Sequence, residues 1–175
     1  LGGHNPLRQQ IGLAGMDASG LMFWDSIRAI DYLCGRPEVD ATKIGVTGVS
    51  GGGFNTLHTA LLDPRVKVCA PNGYATTTEA LVKRATYGCC GHTPNMCLFG
   101  DHSELYAFLA PTPTLILGGY TDVIADRVLP IYERARQSYR LYGAQDALRY
   151  YLDPDAGHTY SFPERVEMIH FFNRY

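Results

Sequence analysis

Apolar residues recur along this chain with two different periods, and the two take turns. In residues 21–35 (LMFWDSIRAIDYLCG) Leu21, Trp24, Ile27, Ile30 and Leu33 fall at three-residue steps, with Gly35 and Pro37 following as stop signals. That spacing predicts an amphipathic helix with Trp24 in its buried stripe. After the polar turn RPEVDATK, the run KIGVTGV is short, β-branched and continuously apolar, as in a strand covered on both faces. Phe54 to Leu62 predicts a helix ended by Asp63-Pro64, and RVKVCA a second strand. TPTLILGG predicts a third strand, with Pro111 and Pro113 confined to its beginning. IYERARQSYRLYG predicts a helix, ALRYYLD a fourth strand, and FPERVEMIHFFNRY a closing helix with Pro163 in its first turn. Residues 1–20 are glycine-rich and read as loop, and residues 71–110 sustain no period and read as irregular.

Strands joined by helical connections of this length predict an α/β fold, a three-layer α/β/α arrangement around a mainly parallel sheet. The 175 residues predict one domain, and 46 % apolar with 18 % charged residues is ordinary globular composition. A net charge of −2 supplies no basic face, which argues against nucleic acid as a partner. No apolar run approaches the roughly 18–20 residues of a membrane span. Five cysteines, an odd number, do not make a complete disulfide framework, and the compartment stays open.

The chemistry concentrates where the first strand meets the second helix. Gly48-Val49-Ser50-Gly51-Gly52 fits Gly-x-Ser-x-Gly between a strand and a helix, the setting of a nucleophile on a tight turn. Such a turn strains the backbone, and glycines two before and two after the serine relieve the crowding. It also aims the amide of Gly51, at a helix N-terminus, where an oxyanion would form. A phosphate-binding loop fits less well. No lysine lies between Lys43 and Lys67, and the glycines run Gly45, Gly48, Gly51 rather than in the dinucleotide-binding order.

A serine hydroxyl needs a base, and the base needs an acid to orient it. Asp122 follows the third strand in LILGGYTD and His158 the fourth in YLDPDAGHTY. Parallel strands would bring both to the same sheet edge as Ser50, in the chain order serine, acid, histidine. Asp126 competes with Asp122 for the acid, while Asp153 and Asp155 are expected to shape the turn before His158. His58 and His170 lie inside helices and are expected to pack or face solvent. The cluster Cys89, Cys90, His92, Cys97 and His102 lacks the Cys-x₂₋₄-Cys spacing of a structural zinc site and is read mainly as free or buried thiols, with one local disulfide as the alternative. Cys34 and Cys69 are expected as small apolar fillers in a helix end and a strand.

With elbow, acid and histidine in this order, the sequence resembles the α/β-hydrolase superfamily. More narrowly it is similar to the acetylxylan-esterase-like and dienelactone-hydrolase-like branch, which borders the prolyl-oligopeptidase-type peptidases. The narrower resemblance rests on GMDASGLMFWDSIRAIDYLCGRPEVDATKIGVTGVSGGGF, where helix, turn, strand and elbow run together. LAPTPTLILGGYTD adds to it, similar to the group's Ala-Pro-Arg-Pro strand start and Gly-x-x-Asp, although Thr112 stands where arginine is common. The resemblance covers nearly the whole chain. It implies Ser50 as nucleophile, Asp122 as acid, His158 as base and Gly51 as one oxyanion donor. The nucleophile is serine, unlike the cysteine of the dienelactone hydrolases proper.

A complete fold of this kind has about eight strands. Residues 1–175 are therefore expected to be a partial α/β-hydrolase domain with about the last four strands. Earlier strands would add a second oxyanion amide and cover the open edge of KIGVTGV, and residues 71–110 would overhang the site. The expected function is a serine hydrolase cleaving an acetyl or other acyl ester on a carbohydrate or small molecule, with no metal or organic cofactor required. The alternatives are a prolyl-oligopeptidase-type serine peptidase and a non-catalytic binding domain on the same fold. The oligomeric state is not legible.

Overall fold

The computed structural model describes residues 10–83, 96–124 and 126–175. Helix α1 (Ala18–Cys34) starts where the side chain of Asp17 accepts from the Ser19 amide, and stops at Gly35. Strand β1 (Ile44–Val49) leads through Ser50 into α2 (Gly51–Leu62), and β2 (Val66–Asn72) follows. The connection to β3 (Thr114–Gly119) carries α3 (Thr78–Lys83), α4 (Met96–Phe99), a 3-10 turn (His102–Glu104) and α5 (Leu105–Phe108). Helix α6 (Val128–Leu141) and a second 3-10 turn (Gln145–Ala147) precede β4 (Leu148–Asp153). The last helix, α7 (Phe162–Phe172), opens on a reciprocal cap between Ser161 and Glu164, with Pro163 in its first turn.

The four strands form one parallel sheet in the order β1-β2-β3-β4. Each crossover steps to the next neighbour in the same direction, so the connecting helices gather on one face. Phe54 and Leu57 of α2, and Ile131, Ala135 and Tyr139 of α6, pack there on Ile44, Cys69, Ile116 and Leu148. On the other face Phe171 of α7 covers Val68, Ala70, Leu115 and Leu117. The result is the three-layer α/β/α arrangement that the alternating periods predict. Cys69 is fully buried, with its thiol pushed up to about 12 by that burial. No helix among the described residues is long and apolar enough to cross a membrane.

Residues 1–20 are not loop throughout, since residues 10–13 are helical and α1 begins at Ala18. Two further expectations need correction. Residues 71–110 are not irregular throughout: β2 continues to Asn72, and short helices follow. Pieces of three to six residues are too short to display a helical period; the Thr77 hydroxyl accepts from an amide in the first turn of α3, and Asp101 and Glu104 cap the 3-10 turn reciprocally. The stripe on α1 is the second correction. Ile30 is buried, but Leu21, Trp24 and Leu33 are 43 %, 55 % and 41 % exposed. Three-residue steps slip by about 60° each on a helix, so five such positions sweep about 240° and cross the buried arc once. The burial comes through Ala18, Phe23 and Ile30 against α2, where the Phe23 and Phe54 rings lie 5.3 Å apart. Trp24 instead carries the Arg28 guanidinium 4.4 Å from its ring centre.

Arg65 ties α1 to the α2–β2 turn, with Nη1 2.6 Å from Asp31 Oδ1 and Nε and Nη2 on the Asp63 carboxylate. Beyond β1 the sheet has no neighbour among the described residues, and the outer flank is an open cleft of about 390 Å³ between α1 and β1, lined by Ile30, Leu33 and Val46.

His58 lies in the core of the α1–α2 contact, stacked on Phe23 at 4.6 Å, with Nδ1 2.8 Å from the Phe54 carbonyl oxygen. Burial pushes its pKa down to about 4 from an ordinary 6.5. Between these values the unfolded chain binds a proton that the folded protein refuses. Folding stability should therefore fall as pH falls through this window, by up to about 3 kcal/mol from this group, and level off below it. Denaturant unfolding at a series of pH values should show that slope, and His58→Phe should flatten it.

Candidate active site

Ser50 joins β1 to α2 at φ 59° and ψ −119°, and no other non-glycine residue among those described has a positive φ. Such a conformation costs about 1–3 kcal/mol and persists only where the surroundings hold it. The Ser50 amide donates to the Asn72 carbonyl oxygen at 3.0 Å, and the Ser50 carbonyl accepts from the Phe54 amide at 2.9 Å. A Cβ on Gly48 would stand 2.7 Å from the Gly52 backbone, and one on Gly53 would stand 2.2 Å from the Asn72 oxygen. At Gly52 a Cβ would meet nothing within 4 Å. The close approach thus requires Gly48 and Gly53, rather than the symmetric Gly48 and Gly52 of the motif, because α2 turns Gly53 onto the end of β2. Gly51 is the first residue of α2, so its N–H has no acceptor within the helix and sits at the positive end of the helix dipole.

Asp122 and His158 reach this edge from the ends of β3 and β4. Asp122 is 2 % exposed; its Oδ1 accepts from the Ile124 amide at 2.8 Å, and its Oδ2 lies 2.9 Å from His158 Nδ1. The imidazole keeps 30 % of its side-chain surface open to solvent. The Asp126 carboxylate lies 3.7 Å from Arg127 Nε. Asp153 shapes the His158 loop as expected: Oδ1 accepts from the Asp155 amide at 3.0 Å and Oδ2 from the Ser161 hydroxyl at 2.5 Å. The loop is pinned to β3 as well, where Ala156 O accepts from both the Thr121 amide and its hydroxyl. Gly119 permits this, since a Cβ there would sit 2.3 Å from Ala156 O.

Residues 72 and 73 were not legible as part of the site. Gly73 has φ +62°, and the His158 ring covers it so closely that a Cβ would lie 3.2 Å from His158 Cε1. The Asn-Gly pair signals a tight turn, but it falls in the segment read as irregular, so only the fold reveals what it faces. Cys89, Cys90 and His92 lie outside the described residues. His102 is buried with Nδ1 3.1 Å from the Thr78 hydroxyl, and His170 is exposed on α7. Among the described residues no group of three or more His, Cys, Asp or Glu is placed to hold a metal ion. A hydroxyl on a strained turn, an imidazole against a buried carboxylate and a helix-terminal amide on one sheet edge make the inventory for acyl transfer.

No family model matches the chain. YtaP of Bacillus subtilis (strain 168), named as a hydrolase, is 30 % identical over 168 residues, covering 93 % of this chain and 56 % of YtaP. The acetyl esterase Axe7A of Xylanibacter ruminicola is 50 % identical over 46 residues, or 26 % of this chain and 10 % of that protein. Among solved structures, a carbohydrate esterase family 15 glucuronoyl esterase from Caldicellulosiruptor kristjansonii superposes with a TM-score of 0.70 at 23 % identity, over 86 % of this chain and 48 % of that one. The chain thus spans about half the length of YtaP and of this esterase.

Gly73 supplies a direct check on this geometry. Gly73→Ala should cost about 1–2 kcal/mol from the left-handed backbone alone. It should also displace the His158 ring, so that the low-field ¹H NMR signal of a carboxylate-bound Nδ1–H weakens. An unchanged signal would mean that the ring does not rest on Gly73.

Proposed function

We propose that this chain, which belongs to the α/β-hydrolase superfamily, hydrolyses carboxylic esters through a serine acyl-enzyme, with an acetyl or other acyl ester on a carbohydrate or small molecule as substrate. The observation that carries the proposal is the contact between His158 and the buried Asp122 carboxylate, at the sheet edge where Ser50 stands on its positive-φ turn. The relatives support an ester rather than a peptide: one is named an acetyl esterase and another a glucuronoyl esterase.

In the proposed reaction Ser50 Oγ attacks the ester carbonyl carbon while His158 Nε2 takes its proton. The Asp122 carboxylate fixes the tautomer with hydrogen on Nδ1 and supports the imidazolium charge. The Gly51 amide donates to the oxyanion. Collapse of the tetrahedral intermediate breaks the bond to the alkoxy oxygen, which leaves as alcohol with the proton from His158. Water, deprotonated by the same imidazole, then attacks the acyl-serine; the bond to Ser50 Oγ breaks, His158 returns the proton to Oγ, and the acid is released. Every proton and electron pair is accounted for without a cofactor. A single oxyanion donor of this kind is worth about 3 kcal/mol, so the rate depends on a second donor beside Gly51. The chain leaves β2 at this edge after Asn72, and we assign substrate choice to the connection that follows it.

A fluorophosphonate probe should label Ser50, and Ser50→Ala should abolish both labelling and the turnover of short acyl esters. Asp122→Asn should lower kcat by about 10⁴-fold, by analogy with the acid of other serine hydrolases, while Asp126→Asn should stay near the parent. Loss confined to the Asp126 variant would move the acid there. Cleavage of aminoacyl amides in preference to acyl esters would move the function to the peptidase reading. Absence of labelling would leave a binding domain on the hydrolase fold.

A further inference from the structure

Asn72 ends β2 directly beneath the site, and its side chain breaks the rule that buried polar groups are paired. The residue is 0 % exposed, and among the described residues neither Oδ1 nor Nδ2 has a hydrogen-bond partner. An unsatisfied buried polar group costs about 1–3 kcal/mol, so leaving both ends of a carboxamide unpaired is expensive. Asp122 and Asp153, the buried carboxylates at the ends of the two following strands, both accept backbone amides. Only Asn72 among these three stands bare.

Its position explains why the cost would be kept. Alternation along β2 puts Asn72 on the same face as Val68 and Ala70, the face covered by α7 and by the loop that carries His158. Its cross-strand partners are Val49, the residue before Ser50, and Leu117 of β3. Its carbonyl holds the Ser50 amide, and the next residue is Gly73, on which the His158 ring rests. One residue thus supports both halves of the reacting pair.

Given the reaction proposed above, we propose that Asn72 is a positioning residue whose carboxamide gains hydrogen bonds with the His158 loop as the site passes from the free protein to the reacting complex. An interaction absent from the ground state and made in the transition state lowers the barrier by its full worth. The unpaired amide in the free protein is the ground-state side of that difference. A site that stores instability in this way trades folding stability for rate.

The trade gives the test a signature that a plain structural role lacks. Asn72→Leu keeps the number and branching of heavy atoms and removes the polar ones. Its melting temperature should equal or exceed that of the parent, while kcat for a p-nitrophenyl acyl ester falls at least tenfold with KM little changed. Asn72→Ala, which removes the same atoms without branching, should show the same kcat loss if the leucine variant does not fold. Unchanged kcat in a folded variant, or a fall in the kcat of Asn72→Leu matched by a fall in its melting temperature, overturns the proposal; for Asn72→Ala, which leaves a cavity, kcat alone decides. The parent is first labelled with the fluorophosphonate probe: failure there overturns the hydrolase reading and this inference together, whereas a labelled parent with fully active Asn72 variants overturns this inference alone.

Discussion

Ser50 occupies a backbone conformation that an L-residue abandons unless it is held, and much of the molecule serves to hold it. The hold is threefold: the Asn72 carbonyl on its amide, the first turn of α2 on its carbonyl, and the close approach at Gly48 and Gly53. Two of these, the Asn72 carbonyl and the approach at Gly53, presuppose that β1 and β2 pair in the register that sets Val49 against Asn72. A slip of one residue would move the Asn72 oxygen off the Ser50 amide and turn every β1 side chain to the opposite face. The apolar faces of the strands fix that register, so the core and the turn depend on one another.

The same parallel order carries the other two groups to Ser50. Gly119 and Asp153 are register partners at the ends of β3 and β4, and the chain leaves both toward the same edge. Polar contacts fix the loops beyond these strands: the Asp153 carboxylate closes its own turn, and Ala156 accepts from Thr121. A loop tied this way keeps an imidazole in place while leaving part of it open to solvent. Satisfied carboxylates and one bare carboxamide share this edge, the contrast expected where most groups hold position and one awaits a partner.

Toward the other side the structure is less closed. The outer edge of β1 and the adjoining side of α1 face an open cleft, and Leu21, Trp24 and Leu33 remain exposed on that helix. An apolar strand edge of this kind invites pairing with further backbone. The exposed stripe is also why periodicity misjudged α1: the spacing identified a helix correctly, but which side is buried depends on what packs against it.

The alternation of helix and strand, the parallel sheet, and the positions Ser50, Asp122 and His158 at the strand ends were all legible in the chain alone. Those features have local causes: hydrophobic period, stop residues and the rule that parallel strands share their carboxyl ends. Which glycines are sterically required, which side of α1 is covered, and the part played by Asn72 and Gly73 emerged only once the chain was folded. Each of these depends on distances between segments far apart in the chain. A glycine is indispensable because of the atom facing it, and an amide is unpaired because of what surrounds it. Neither neighbour can be read from the residue's own stretch of sequence.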